Sequence, residues 1–193
     1  MHSQTEYKDT LIIKKCILFM LRDHKIENKL KEFATKDKIG VLFVCLGNIC
    51  RSPAAQGVFE SKIGNNVRTR FNVDSAGTGS YHIGDLPDSR MRVHARKRGY
   101  NLTHRARQFK TTDFDDFDLI VVMDESNCRN VISMARTNED LEKIVPMGVF
   151  LSDNSHYDYI PDPYYEGSEG FELVLDLLED ATENLFTVLT KKD

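Results

Sequence analysis

A short loop between residues 45 and 52 carries the side chains best suited to covalent chemistry. It reads CLGNICRS, so that Cys45 follows an apolar run and Arg51 comes six residues later. A cysteine thiolate is a strong nucleophile, and a planar guanidinium binds two phosphate oxygens at once, which a lysine does not reproduce. Backbone N–H groups in a loop that leads into a helix also bind anions, and the same donors would stabilise a thiolate. The loop therefore predicts a phosphate site in which Cys45 attacks phosphorus.

The same residues have a purely structural alternative. Cys45 and Cys50 would then be small buried side chains that flank an ordinary turn, a common role for cysteines outside disulfides. A cysteine and an arginine at this spacing would by themselves be weak support for a site. Their combination with Ser52, between a buried strand and a capped helix, favours the phosphate site.

A second candidate element lies at 161–165, where the sequence is PDPYY. A carboxylic acid that donates a proton to a departing phenoxide speeds its release from a phosphomonoester. Asp162, held between two prolines, would supply that proton and then act as a base toward water. Tyr164 and Tyr165 would wall the cleft and stack on an aromatic substrate. Alone, such a segment is more typical of a surface turn, so its predicted role depends on the phosphate loop.

Alternating strand and helix patterns must position these two elements. Apolar, β-rich runs predict strands at 39–44, 71–75, 119–123 and 144–147. Local start and stop signals predict helices at 52–63 and 88–98, the segment 125–134 also looks helical, and apolar spacing predicts a helix at 170–189. Ser52 is predicted to cap the first helix, with Pro53 at its first position. This order predicts an α/β fold, a doubly wound four-stranded parallel sheet with helices on both faces and ligands at the carboxyl ends of its strands.

The first 38 residues differ from the rest of the chain in charge. They carry nine basic and six acidic side chains, a net charge of +3, whereas residues 39–193 have a net charge of −7. Apolar spacing over 10–36 predicts an amphipathic helix. We therefore divide the chain into an N-terminal extension, 1–38, and a domain, 39–193. The extension would pack on the domain, bind a partner, touch an anionic surface, or reflect an upstream start codon.

Composition excludes several classes of protein. With 40% hydrophobic and 29% charged residues among 193, the chain is typical of globular proteins. Four cysteines without a CxxC pair favour a reducing compartment, the cytoplasm, over a secreted disulfide framework, and they indicate no zinc site. The apolar run at 16–21 is too short to span a membrane.

The acidic domain argues against nucleic acid as a partner, and the basic residues at 90–107 are interpreted as a solvated helix face.

Four segments make the sequence resemble the low-molecular-weight protein tyrosine phosphatases. They are VLFVCLGNICRSP at 41–53, DSAGT at 74–78, MDESN at 123–127 and DPYY at 162–165. The resemblance covers about residues 39–190. It implies hydrolysis of phosphotyrosine in proteins and of small aryl phosphates, with no metal or other cofactor. In agreement with the roles inferred above, it makes Cys45 the nucleophile, Arg51 the phosphate clamp and Asp162 the general acid.

The resemblance also implies supporting roles for residues that the sequence alone does not distinguish. A hydrogen-bond network that shapes the loop is implied for Asn48, Ser52, Ser75 and His104, each of which is otherwise an ordinary turn, cap, strand-end or surface residue. Cys50 is implied to form a disulfide with the nucleophile that prevents irreversible oxidation, or else to be a packing residue. The other loop and cleft positions are Leu46, Gly47, Ile49 and Tyr81.

Three further positions bear on specificity. Ile49 favours phosphotyrosine over phosphoarginine, because the similar arginine phosphatases tend to carry Thr there. Asp124 aligns with a second acidic residue near the site, to which we assign no role. Glu166 follows Tyr165 where the family more commonly has Gly, and it adds negative charge near the cleft. The N-terminal extension is the larger departure from the family pattern.

Two other functions compete with this interpretation. A thiol-dependent arsenate reductase shares the loop and fold, but it needs a relay of further cysteines, and Cys128 has no neighbouring cysteine in the sequence. A non-catalytic phosphotyrosine-binding module would be expected to lack Cys45, Arg51 or Asp162. All three are present.

Overall fold

The sheet at the centre of the molecule has four parallel strands. The structure is a computed structural model, which describes residues 30–33, 35–63 and 68–191. The strands are β1 (Ile39–Cys45), β2 (Phe71–Gly77), β3 (Leu119–Val122) and β4 (Ile144–Pro146). Their order in the sheet is β2-β1-β3-β4, with every neighbouring pair parallel. The predicted α/β fold with a four-stranded parallel sheet is confirmed.

Helices connect the strands and cover both faces of the sheet. They are α1 (Arg51–Lys62), α2 (Ser89–Lys97), α3 (Asp113–Asp116), α4 (Glu125–Ser133), α5 (Asn138–Glu142) and α6 (Ser168–Thr190). Two 3-10 turns, Arg68–Arg70 and Met147–Phe150, and a helical stretch at 30–33 complete the described elements. The four long helices lie where the sequence predicts them. The short helices α3 and α5 were not predicted, because four or five residues are too few to show a helical period.

Every residue of β1 is buried, since the strand packs on both faces. Val41 and Phe43 point into the larger core cluster, which also contains apolar residues of α1 and α6. Leu42 and Val44 point into the second cluster, which includes residues of α4. Successive side chains of a strand alternate between faces, so a strand covered on both sides needs an unbroken apolar run. This requirement explains the sequence of 39–44.

The position of β1 in the sheet determines where a ligand can bind. The chain leaves β1 for β2 on one side and later returns to β3 on the other side. A crevice forms outside the carboxyl ends of the strands where a parallel sheet reverses its winding in this way. Cys45 is the last residue of β1. The fold therefore places at this crevice the loop at 45–52, which we call the nucleophile loop because Cys45 is its predicted nucleophile.

One detail of the predicted helix start was wrong. Helix α1 begins at Arg51 with Cys50 in the cap position, and no side chain caps it. Ser52 lies inside the first turn, and its hydroxyl is 3.0 Å from Cys45 Sγ and 3.2 Å from the carbonyl oxygen of Ala76. The hydroxyl is therefore occupied by the nucleophile loop and β2 rather than by the helix terminus.

The described end of the N-terminal extension packs against the domain. Residues 30–33 are helical, and the side chains of Leu30 and Phe33 are buried in the larger core cluster. Lys36 forms a 2.6 Å ion pair with Asp118, and Arg70 Nε donates to the Lys36 carbonyl oxygen. Residues 35 and 36 are described and are not helical, whereas 10–29 and 34 of the predicted helix over 10–36 lie outside the described residues. Within the described ranges, no helix is long and apolar enough to cross a membrane.

Phe33→Ala is expected to lower the free energy of unfolding by about 3 kcal/mol, because it empties a core position filled by a large ring. Urea unfolding of the full chain measures this change. Lys31→Ala, an exposed change two residues away, is the matched control. Equal unfolding midpoints for the two variants would show that residues 30–33 do not contribute to the core.

Candidate active site

The loop after β1 surrounds the sulfur of Cys45 with hydrogen-bond donors. The side chain is buried, with the Asn48 backbone N–H donating to Sγ over 3.3 Å and the Ser52 hydroxyl 3.0 Å away. A hydroxyl and an amide that point at a sulfur stabilise its thiolate form. The local geometry therefore suits a nucleophilic or leaving thiolate.

Asn48 organises this loop. Among the described residues other than glycine, it alone has a positive φ, 55°, a conformation that asparagine tolerates better than most residues. Its buried Nδ2 donates over 2.9 Å to the hydroxyls of both Ser52 and Ser75. Its Oδ1 accepts from the Arg107 backbone N–H over 2.9 Å and lies 3.1 Å from His104 Nε2. One amide side chain thus ties the loop to two distant segments.

The predicted network residues Asn48, Ser52, Ser75 and His104 therefore lie together around Cys45. The Ser75 hydroxyl donates a hydrogen bond to Gln56 Oε1 over 2.8 Å. Burial lowers the pKa of His104, and the nearby Asp74 carboxylate only partly opposes this. A neutral imidazole that donates from Nε2 to Asn48 fits this environment. The contacts join four segments of the chain into one support for the loop.

The backbone of β2 passes very close to the nucleophile loop. A Cβ placed on Gly77 would lie 2.8 Å from the Leu46 carbonyl oxygen and 3.0 Å from the Asn48 backbone nitrogen. Thr78 N–H donates to the Cys45 carbonyl oxygen over 2.9 Å, and Gly79 N–H donates to that of Leu46 over 2.8 Å. Only glycine permits this approach. The hydrogen bonds from Thr78 and Gly79 therefore hold the loop against the end of β2.

Arg51 connects the nucleophile loop with two carboxylates. Its side chain is buried, with Nη1 hydrogen-bonded to Asp124 and Nη2 donating to Asp162 over 2.6 Å. Burial opposes the positive charge, but Cys45, Asp162 and Asp124 outweigh it and raise the pKa of Arg51 above its ordinary value. Arg51 Nε is buried and has no hydrogen-bond partner among the described residues. A fixed cation with an unused donor is well suited to bind an anion.

The segment that carries Asp162 lies beside the end of β3. Ile160 N–H donates to the Met123 carbonyl oxygen over 2.9 Å, and the Ile160 carbonyl accepts from Arg51. The Tyr164 backbone N–H donates to Asp162 Oδ1 over 3.2 Å. About two fifths of the Asp162 side chain stays exposed, so solvent and a ligand can reach it. The structure thus brings Cys45, Arg51 and Asp162 to one crevice.

The predicted cleft residues are exposed around this crevice. Tyr81 and Tyr165 are 80% and 93% exposed, and the ring of Tyr164 meets that of Tyr165 edge-to-face at 5.0 Å. A Cβ on Gly79 would lie 2.6 Å from the Tyr81 ring and 3.3 Å from the Leu46 carbonyl oxygen, which places Tyr81 beside the loop. Leu46 is exposed, whereas Ile49 is buried in the larger core cluster.

Glu166 occupies the other side of the Asp162 segment. It lines a cavity of about 480 Å³ together with Asp162, Tyr157, Tyr159 and apolar residues of α6. Its carboxylate adds negative charge next to the acid, as its sequence position predicts.

Cys50 is a neutral thiol next to the nucleophile. Burial, followed by the charges of Asp88 and Cys45, raises the pKa of Cys50 far above its ordinary value. The Asn48 N–H and the Ser52 hydroxyl described above contact the other cysteine of the loop, Cys45. Among the described residues, no three His, Cys, Asp or Glu side chains are grouped so as to hold a metal ion.

Comparison with known proteins assigns the chain to a family. The family model for the low molecular weight phosphotyrosine protein phosphatases matches residues 40–193. This chain belongs to that family. The fission yeast (Schizosaccharomyces pombe) low molecular weight phosphotyrosine protein phosphatase is 41% identical over 148 residues, which is 76% of this chain and 94% of the relative. The human enzyme of that name is 41% identical over 145 residues, 74% of this chain and 89% of its own length.

Solved structures of family members have the same fold. The protein tyrosine phosphatase from Entamoeba histolytica, with Hepes in its active site, superposes with a TM-score of 0.74 at 43% identity, covering 77% of this chain and 95% of that one. The Drosophila arginine phosphatase superposes with a TM-score of 0.73 at 31% identity, covering 79% and 99%. The predicted family, fold and class of enzyme are confirmed.

Some residues of this family member were missed or left without a role by sequence reasoning. Asp124 pairs directly with Arg51, Gln56 supports Ser75, and Arg107 contributes its backbone N–H to Asn48. These contacts join residues that are far apart in sequence and have no local spacing signal. The MDESN segment indicated only that Asp124 lies near the site.

Proposed function

We propose that this chain hydrolyses phosphotyrosine in proteins, and small aryl phosphates, through a phosphoryl group carried by Cys45. One observation carries the proposal. The buried Arg51 lies between the nucleophile loop and Asp162, with an unused Nε donor and a 2.6 Å contact to the carboxylate. A nucleophile, an anion clamp and a proton donor then act on the same phosphate ester.

Substrate binding would rearrange Arg51. A phosphate dianion in the loop competes with Asp124 and Asp162 for the guanidinium, and Nε with Nη2 can donate to two phosphate oxygens in parallel. The backbone N–H groups of the loop and the start of α1 add further donors. Asp162 is thereby released from Arg51 and becomes available to the leaving group.

The first chemical step transfers the phosphoryl group to the enzyme. The Cys45 thiolate attacks phosphorus, the bond to the tyrosyl oxygen breaks, and Asp162 donates its proton to the departing phenoxide. A phenol with a pKa of about 10 is a poor leaving group without this proton.

The second step returns the enzyme to its starting state. Asp162, now a carboxylate, accepts a proton from water as the water attacks phosphorus. The P–S bond breaks and the Cys45 thiolate leaves with its electron pair, stabilised by the Ser52 hydroxyl and the Asn48 amide. Inorganic phosphate and the unmodified phenol are the products.

The direct test is turnover by the purified full chain, with p-nitrophenyl phosphate and a phosphotyrosyl peptide as substrates and a metal chelator present. Release of phosphate from both substrates supports the proposal. No release from either one would contradict it.

A protein of the same fold is named as an arginine phosphatase. The same assay must therefore compare several substrates. The likeness to an arginine phosphatase makes phosphoarginine the second candidate substrate, and Ile49 argues for phosphotyrosine. Faster hydrolysis of a phosphoarginyl peptide would reverse this order. Arsenate reduction with added thiol tests the reductase alternative, and tight phosphopeptide binding without turnover tests the binding-module alternative.

Cys50 would protect the nucleophile from irreversible oxidation. Peroxide converts the Cys45 thiolate to a sulfenic acid with release of water or hydroxide, and the Cys50 thiol then displaces a second water to form a disulfide. Cys50→Ser is expected to recover less than half of its own starting rate when a thiol is added after peroxide, whereas the parent recovers most of it. The measurement is the recovered fraction for each protein. Equal fractions would remove this role.

The remaining assignments concern organisation and location. The proposed phosphatase domain is 39–193, preceded by the extension 1–38, whose described end packs on the core through Leu30 and Phe33. We place the protein in the cytoplasm, where a reducing environment keeps the Cys45 thiolate available. Its partners are phosphotyrosine proteins rather than nucleic acid. The extension is proposed to bind a partner or an anionic surface with residues outside the described part.

A further inference from the structure

Asp88 joins the nucleophile loop to helix α2. Its backbone N–H donates to the Ile49 carbonyl oxygen over 2.8 Å. Its side chain caps α2 by accepting from the Arg90 backbone N–H, again over 2.8 Å. The first turn of α2 is therefore fixed relative to the loop that holds Cys45.

The Arg90 side chain extends from this turn to the segment that carries the acid. Asp88 holds the guanidinium in two contacts, 3.0 Å to Nε and 2.8 Å to Nη2. Arg90 Nη1 donates to the Tyr164 carbonyl oxygen over 3.0 Å. The guanidinium carbon lies 5.2 Å from the centre of the Tyr164 ring and 4.8 Å from that of Phe171. Hydrogen bonds and two ring faces thus define one position for this side chain.

Tyr164 links the Arg90 side chain to Asp162. Its carbonyl oxygen is bound by Arg90, while its backbone N–H donates to Asp162 Oδ1 over 3.2 Å. A second contact from α2 holds the chain just downstream, because His94 stacks on Phe171 and its Nε2 lies 3.2 Å from the Ser168 hydroxyl. Asp162 also pairs with Arg51, but once phosphate takes that guanidinium, the Tyr164 backbone N–H remains to position the carboxyl group.

We propose that Arg90 is a positioning residue for the general acid, which it holds through Tyr164 at a fixed distance from the nucleophile loop. The inference rests on the proposed function and adds to it. Arg90 touches neither Cys45 nor the phosphate clamp. Proton transfer to a leaving group is sensitive to displacements of an ångström or less, so a loosened Tyr164 would slow that transfer while leaving the anion site intact.

This role separates Arg90 from the other basic residues near it. Arg98 pairs with Glu172 and Asp176 of α6, and Arg107 pairs with Asp74 and Asp113. Those pairs connect elements of the fold. Arg90 alone of the three contacts the segment that carries Asp162.

Arg90→Ala is expected to lower kcat/KM for a phosphotyrosyl peptide about tenfold, and for p-nitrophenyl phosphate by clearly less, because the more acidic nitrophenol leaves with little help from an acid. The inhibition constant of inorganic phosphate is expected to stay the same. Arg96→Ala, an exposed arginine on the same helix, is the matched control and is expected to behave as the parent. Thermal unfolding checks that each variant is folded.

A double-mutant cycle gives the decisive comparison. If Arg90 acts through Asp162, Arg90→Ala made in an Asp162→Ala background lowers kcat/KM by less than about twofold. A tenfold loss in that background, or an equal loss for both substrates with weaker phosphate inhibition, would show that Arg90 binds substrate directly and would overturn the proposal. An inactive parent enzyme would instead contradict the proposed function.

Discussion

Cys45→Ser is expected to lower kcat for a phosphotyrosyl peptide by at least about a thousandfold. The serine hydroxyl is the same shape but is not ionised near neutral pH, so it cannot attack phosphorus as a thiolate does. The donors that hold the sulfur, Asn48 N–H and the Ser52 hydroxyl, lie on the loop and remain in place. The variant is therefore expected to bind phosphopeptide while losing turnover.

Cys128→Ala is the matched control for this change. Cys128 is also buried, but it lies in α4 within the second core cluster and not in the nucleophile loop. Its replacement is expected to affect stability more than rate. Comparable activity in Cys45→Ser and the parent would show that the reaction does not pass through Cys45.

Asp162→Ala is expected to lower kcat/KM for a phosphotyrosyl peptide by about 10² to 10⁴, the usual contribution of a general acid. The loss should be smaller for p-nitrophenyl phosphate, whose phenol needs less protonation. Phosphate binding should not weaken, since Arg51 and the loop donors are untouched and one carboxylate that competes for Arg51 is removed. Initial rates on both substrates, with phosphate as a competitive inhibitor, separate the two effects.

Asp153→Ala serves as the control for the loss of a carboxylate. Asp153 is exposed and lies in the segment before the PDPYY motif. It is expected to keep the parent rates on both substrates. A proton donor matters more when the departing phenol is a poor leaving group. If Asp162→Ala lowered kcat/KM by the same factor for both substrates, Asp162 would therefore not be the general acid.

The parts of this molecule that were predicted from sequence are those with local signals. The apolar run at 39–44 predicts β1 because a strand buried on both faces has no room for polar alternation. The residues from Cys45 to Ser52 are close in sequence and lie between a buried strand and a helix, so this local combination indicates the phosphate loop. The same reasoning found the four long helices and the parallel, doubly wound sheet, but not the order of its strands.

The parts that were missed depend on contacts between distant segments. Arg51 and Asp124 are 73 residues apart, and Arg90 and Tyr164 are 74 apart, so neither pair leaves a pattern in a short window. Ser52 was interpreted as a helix cap because its local sequence fits one. In the fold, Cys45 and β2 compete for its hydroxyl. Predictions from local sequence fail most often at functional sites, because side chains there make the contacts that the reaction needs.

The central claim is that Cys45 carries the phosphoryl group between the two steps. The most direct measurement is rapid quenching of the enzyme during turnover, followed by protein digestion and mass spectrometry of the peptide that contains residues 45–51. The account predicts one added phosphoryl group on Cys45, absent in Cys45→Ser. Turnover at the normal rate with no phosphoryl group on Cys45, or with one on another side chain, would contradict it.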